Sequence, residues 1–174
     1  MADINLTVPV ATAEAGYRTE PVWDLIELLF FAYRDFVGDA DAVLAKFGFG
    51  RAHHRVLHFV NRNPGMKVAE LLGILKITKQ SLGRVLKQLI DEGYVEQKAG
   101  ATDRRQRLLF VTARGEALAL RLAGLQSARI GRALAGSGDR DTARRFLVAM
   151  LDPGQRDGVL RLVDRADPAR RRRT

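Results

Sequence analysis

The 174-residue sequence contains no cysteine. That excludes a disulfide framework, a thiolate metal cluster, a thiol nucleophile and any sensing of oxidants through a reactive thiol. No segment approaches the length of a membrane span, and Met1 to Gly16 has neither a cationic start nor an apolar run ending in a cleavage site. A cytoplasmic chain is expected. Catalytic signatures are missing as well: there is no nucleophile elbow, P-loop or dinucleotide fingerprint, and Gly48-Phe49-Gly50 lacks the spacing of any of them. Neither an enzyme nor a cofactor is expected. His53, His54 and His58 are the one invitation to a metal, since His54 and His58 stand one helical turn apart. They have no carboxylate or thiol close in sequence to complete a site, and Arg51 and Arg55 would oppose a cation, so no metal is expected.

What is present is enough apolar material, 47% against 28% charged, for one compact domain or a small domain with a long helical appendage. The formal net charge is +9, but its distribution says more than its size. From Glu14 to Phe49 three basic residues face seven acidic ones, whereas from Lys76 to Arg114 nine basic residues face four acidic ones. Positive charge is therefore concentrated in one segment, as a nucleic-acid footprint requires.

Residues 1–20 lack periodicity and form an arm, with Pro21 placed to start a helix. Residues 21–49 form a first helical unit. Val22 to Val37 is apolar on almost every face, so it demands cover on more than one side; Gly38 is a candidate kink before Ala40 to Phe47. Residues 50–112 form a second unit, beginning with a helix from Arg51 to Val60 that the turn Asn61-Arg62-Asn63-Pro64-Gly65 ends. Helices over about Lys67 to Leu75 and Lys79 to Glu92 follow, separated only by Lys76-Ile77-Thr78, with Thr78 a good N-cap and Ile77 a plug between them. Gly93 stops the second helix, and Tyr94 to Lys98 with Arg107 to Val111 gives two strands in hairpin relation around the loop Ala99 to Gln106. Residues 113–164 hold helices over about Ala113 to Leu134, Asp141 to Leu151 and Gln155 to Val163, with Thr112 capping the first and Gly136-Ser137-Gly138 breaking it. Residues 165–174 form a basic tail. Its run Arg170 to Arg173 is either a solvated end or a source of non-specific DNA affinity through counterion release.

Two helices joined by a short turn and followed by a β-hairpin make a winged helix-turn-helix, whose second helix is the one expected in the DNA major groove. The fold class expected is mainly α with a small hairpin wing. With Leu82, Val85, Leu86 and Leu89 inward, 100° per residue puts Gln80, Arg84, Lys87 and Asp91 outward, flanked by Ser81 and Gln88. Gln and Arg read adenine and guanine edges, while Lys87 suits a phosphate. The exposed first turn, Thr78, Lys79, Gln80 and Ser81, would reach deepest. In the wing, Asp103-Arg104-Arg105-Gln106-Arg107 puts three guanidiniums on a narrow loop, which suits the negative potential of the minor groove. A charged outer face on a lone amphipathic helix is ordinarily solvated surface; the preceding helix, short turn and hairpin are what make this one a candidate reader.

These segments resemble the MarR family. The likeness rests on Ala69 to Ile74, Thr78 to Leu89, Glu92-Gly93-Tyr94-Val95, and Asp103-Arg104-Arg105 running through Leu109 and Val111-Thr112 to Gly115; it covers about Val22 to Leu151. The wing signature, Asp-x-Arg followed by a hydrophobic strand and Thr-x-x-Gly, is its specific part. The resemblance implies that Asp103 helps hold the wing and Arg105 enters the minor groove, with Arg104 as its neighbour. Val111, where Leu is commoner, is a departure without physical cost. Gly83 is a second: inside the recognition helix it costs about 1 kcal/mol relative to Ala and removes a side chain often used against DNA.

The resemblance also implies a homodimer built from the first helix and the last two or three. The surplus of apolar residues in Val22 to Val37 and from Leu118 to Leu151 supports it, and an isologous dimer would set two recognition helices about 34 Å apart on a palindromic operator. The expected function is sequence-specific regulation of transcription, more often repression in such families, released by a small aromatic effector between the dimer helices and the winged unit. Trp23, Phe30, Tyr33 and Phe47 offer apolar lining, with His54 and His58 near the hinge, though all could be plain core. The alternatives are an architectural, sequence-indifferent DNA binder and a winged helix that binds protein.

Overall fold

The computed structural model describes residues 20–100 and 106–165. Asp103, Arg104 and Arg105 of the wing loop, the arm before residue 20 and the Arg170 to Arg173 run lie outside the described residues. The fold is mainly helical, in the order α1 (Trp23–Ala45), α2 (Arg51–Arg62), β1 (Met66–Lys67), α3 (Val68–Leu75), α4 (Lys79–Asp91), β2 (Val95–Ala99), β3 (Arg107–Val111), α5 (Ala113–Ser137), α6 (Arg140–Ala149) and α7 (Pro153–Arg165).

The core gathers Val56, Leu57 and Val60 of α2, Leu71 and Leu75 of α3, Leu82, Val85, Leu86 and Leu89 of α4, Leu109 of β3 and Leu122 of α5. The helical spacing read from the sequence is thus the spacing of burial. The hairpin β2–β3 pairs antiparallel from Val95 opposite Val111 to Ala99 opposite Arg107. A third strand, β1, which the sequence pattern does not announce, pairs with β3 through Met66 and Leu109 and puts β3 in the middle of the sheet. Its cause is the preceding turn: Gly65 takes φ +82°, and its N–H donates to the Leu109 carbonyl at 2.8 Å.

Several boundaries differ from expectation. Helix α1 runs through Gly38 as one element, and α5 continues through Gly136 to end only at Gly138, where φ reaches +105°. Helix α6 starts at Arg140 because the Asp139 carboxylate accepts from the N–H groups of Asp141 and Thr142. Helix α7 starts at Pro153, a residue suited to a first helical position.

Helix α1 is divided along its length. Its buried residues are Val37, Ala40 and Leu44, all in the half that reaches α2 and α5. The preceding half leaves Trp23 63%, Leu28 61% and Phe30 70% exposed. Phe146 and Leu147 of α6 and Met150 at its C-cap are exposed too, and an apolar groove of about 450 Å³ runs between Phe146 and Met150 and Leu25, Ile26 and Leu29 of α1. The cover that the sequence demands for this half of α1 is not supplied by its own chain among the described residues.

The hairpin is locked to α5 at one seam. Thr112 donates its backbone N–H to the Tyr94 carbonyl at 3.1 Å and its hydroxyl to the Gly93 carbonyl at 2.7 Å, and that hydroxyl accepts from Gly115 N–H at 3.1 Å. Arg114 lies over the Tyr94 ring at 4.3 Å and donates to the Glu92 carbonyl at 2.9 Å. A Cβ at Gly115 would land on the Tyr94 carbonyl oxygen, which gives the Thr-x-x-Gly spacing a steric reason. Gly115→Ala is therefore expected to cost about 3 kcal/mol. Urea unfolding checks this, and an unchanged midpoint would show that the seam is not tight.

Candidate nucleic-acid interface

The turn between α3 and α4 is short because Lys76 takes the left-handed conformation, φ 53° and ψ 41°, and folds the chain back at once. Arg55 on α2 donates to the Leu75 carbonyl at 3.1 Å and so satisfies part of the bare end of α3. Ile77 packs half-buried against the core, as a plug should. Thr78 caps α4, its hydroxyl accepting from Ser81 N–H at 3.1 Å and donating to the Ser81 hydroxyl at 2.9 Å. Both hydroxyls are thus committed to the start of the helix, and Ser81 is half-buried.

Because α4 is pinned inward by its four buried aliphatic residues, Lys79, Gln80, Arg84 and Lys87 are all exposed. Among the described residues Lys76, Lys79 and Arg84 form no ion pair, while Lys87 pairs with Asp91 one turn on at 2.6 Å. Three exposed cations therefore lack an ion-pair partner among the described residues, two of them beside the partial positive charge of the α4 N-terminus, an arrangement that attracts phosphate. A Cβ at Gly83 would meet nothing within 4 Å.

At the base of the wing the Gly100 N–H donates to the Gln106 carbonyl at 3.0 Å, and Arg107 is exposed opposite Ala99. On the outer strand Lys98 pairs with Glu96 at 2.7 Å and lies over the Phe110 ring at 4.9 Å.

The residues named for an effector do not all converge. Tyr33, His54 and His58 do: with Phe36, Val37, Arg55, Phe59 and Gln126 they line a cleft of about 240 Å³ between α1, α2 and α5. Trp23 and Phe30 lie further back on α1 and do not line it, and Trp23 is not among the residues of the α1–α6 groove either. Phe47 stands beside Phe49 and Tyr94, each ring 6.2 Å away. Phe36, Arg55 and Gln126 escaped the sequence reading, because only packing brings one residue from each of three distant segments together. Burial holds the His54 ring below its ordinary pKa, with the nearby Asp41 carboxylate pulling the other way. Burial lowers the His58 ring in the same way, with positive charge on His54 and Arg62 pushing in the same direction.

A three-residue turn between two helices, a cationic second helix, a wing, and long terminal helices define a winged helix-turn-helix protein with arms. The family model described as MarR family matches residues 47–106. The HTH-type transcriptional regulator PetP of Rhodobacter capsulatus is 46% identical over 133 residues, 75% of this chain and 80% of that protein. The chain belongs to the MarR family of transcriptional regulators. Rv2887 of Mycobacterium tuberculosis, an HTH-type transcriptional repressor, is 32% identical over 97 residues, 56% of this chain and 70% of that protein. Its structure in complex with salicylic acid matches with TM-score 0.51 at 28% identity, over 73% of this chain and 91% of that one. Streptococcus pneumoniae FabT, solved in complex with DNA, shares the fold with TM-score 0.63 at 16% identity, over 72% of this chain and 90% of that one. No helix among the described residues is long and apolar enough to cross a membrane.

Gly83→Ala is expected to raise stability by about 1 kcal/mol, since the added methyl meets open space on a helix interior; a thermal midpoint no higher than the parent's would refute it. His54 adds a pH dependence of definite sign. Its folded pKa lies below the ordinary value of 6.5, so in acid the unfolded chain takes up a proton that the buried ring resists. Stability is complete above about pH 6.5 and declines as the pH falls toward the lowered folded value. The loss of thermal midpoint between about pH 7.5 and 5.5 should be smaller in His54→Gln; equal slopes would remove His54 from the account.

Proposed function

We propose that this protein is a homodimeric repressor that binds a palindromic operator, α4 of each protomer reading the major groove and the wing, with Asp103, Arg104, Arg105 and Arg107, meeting the minor groove. The observation that carries the reading is the outward face of α4: Lys79, Gln80 and Arg84 are exposed, and neither cation is neutralised by an acid of the described chain. Thr78 and Ser81 serve it by fixing the first turn, and Lys87 gives up Asp91 for a phosphate. A second copy seated on the bare half of α1 and on Phe146, Leu147 and Met150 would bury this exposed apolar surface and fix the distance between the two readers. The repressor assignment is supported by Rv2887, named a repressor.

The cleft between α1, α2 and α5 is the proposed effector site. At about 240 Å³ it suits a single-ring molecule, and it joins aromatic walls from Tyr33, Phe36 and Phe59 to Arg55, whose guanidinium has donors beyond the one given to the Leu75 carbonyl with which to meet a carboxylate. The salicylic acid complex of Rv2887 supports a small aromatic acid as the class of ligand. An effector filling this cleft would favour a spacing of the two readers that no longer fits the operator, a shift of population between two arrangements.

Selection of bound duplex from random sequence tests the whole reading: a palindromic consensus is expected, whereas recovery of unrelated sequences would favour an architectural binder. On the selected site Arg84→Ala should lose about tenfold or more in affinity, while Lys87→Ala should weaken specific and random duplex alike. Duplex binding untouched by both changes would point instead to a winged helix that binds protein.

A further inference from the structure

We propose that His53 is a positioning residue for the recognition helix, a latch that carries the geometry of the hinge between α1 and α2 into α4. The inference rests on the regulator reading and adds a residue to it. His53 lies outside the cleft described above, and its partners are 3 and 35 positions away. The Gly50 N–H donates to His53 Nδ1 at 3.1 Å. A backbone N–H can only donate, so Nδ1 carries no proton and the neutral ring holds its proton on Nε2. That Nε2–H donates to Gln88 Oε1 at 2.9 Å, and the Gln88 amide donates onward to Glu92 Oε1 at 2.9 Å. The ring is also clamped by stacking on Phe49, centroids 4.8 Å apart and planes 11° from parallel.

Each end of this chain of bonds sits where movement matters. Gly50 closes the turn by which the chain leaves α1, and beside it Arg51 binds Asp41 of α1 at 2.8 Å. Gln88 is one helical turn beyond Arg84 on α4, so fixing its amide fixes the flank of the reading face. The latch also engages both polar ends of Gln88 within the protein, which withdraws it from base reading. A rotation of α1 against the winged unit displaces the Gly50 N–H, reorients the His53 ring and releases Gln88. Registration of α4 on the operator then loosens, while contacts to phosphate remain.

His53→Phe tests this directly, because it keeps a ring to stack on Phe49 and deletes both hydrogen bonds. Gln88→Met provides a second route to the same break. In the full-length protein each is expected to lose about tenfold in affinity for the selected duplex and nothing for a scrambled duplex at the same salt, with the double variant no weaker than either single one. Nitrogen-15 spectra of the imidazole should place the proton on Nε2, and the Gln88 side-chain amide signals should be displaced from the shifts of a solvated glutamine in the parent and return toward them in His53→Phe. A proton on Nδ1, selected-site affinity within about twofold of the parent in His53→Phe, or losses that multiply in the double variant would overturn the latch. Should the parent protein prefer no sequence at all, the regulator reading fails on that result alone, and the tautomer and amide signals still decide for or against the latch.

Discussion

The stripe of Leu82, Val85, Leu86 and Leu89 buried against the rest of the core determines what this molecule can present to a nucleic acid. A helix with four aliphatic residues on one side has one favourable orientation, because rolling it by even one residue would expose a leucine and bury Arg84 or Lys87 without a partner. The cationic face points outward as the other half of that constraint. The surrounding devices refine it: Thr78 fixes where α4 begins, Lys76 in the left-handed conformation fixes the angle at which it leaves α3, and Arg55 holds the end of α3 from behind.

The same logic applied to α1 yields the opposite result. There the aliphatic and aromatic residues encircle the helix, and the described chain fully buries only Val37, Ala40 and Leu44, with Phe36 and Val43 half-covered. The ion pair of Arg129 with Asp39 at 2.8 Å and that of Arg51 with Asp41 at 2.8 Å fasten this covered half to α5 and α2. Both pairs are partly exposed and individually weak, so the apolar contact beneath them sets the strength of the joint. Helix α1 therefore has one half that packs on the winged unit and one half that the described chain leaves bare. A stiff helix divided in this way would carry a reorientation of its bare end, of the kind the proposed dimer would impose, to the turn at Gly48-Phe49-Gly50.

Local signals made much of this legible in the sequence. The 3.6-residue spacing in α3 and α4, the caps Thr78 and Thr112, and the stop at Gly93 are properties of a few adjacent residues, so they survive without knowledge of the fold. What escaped depends on residues far apart in the chain. Strand β1 is two residues long and exists only because Leu108 and Leu109 are there to receive it. Gly115 looks like any helical glycine until the Tyr94 carbonyl is set against it. The effector residues divide for the same reason: Tyr33, His54 and His58 share a cleft, but nothing local tells Tyr33 from Phe30, which lies three positions earlier on a helix that is apolar all round.

Helix α2 connects these features. One side of it lines the cleft through His54, Arg55, His58 and Phe59; its first turn carries His53 toward Gln88; and Arg55 reaches the end of α3. Val56, Leu57 and Val60 bury the remaining side, so α2 cannot yield to a ligand by changing side-chain rotamers alone. A molecule entering the cleft must push on α1, which is the less embedded wall, or move α2 together with the reading helix it contacts. Either path passes through the turn between α1 and α2. That turn stands directly against the polar link from α2 to the flank of α4, so in the proposed latch a small displacement near Tyr33 would reach Arg84 without disturbing the aliphatic core between them.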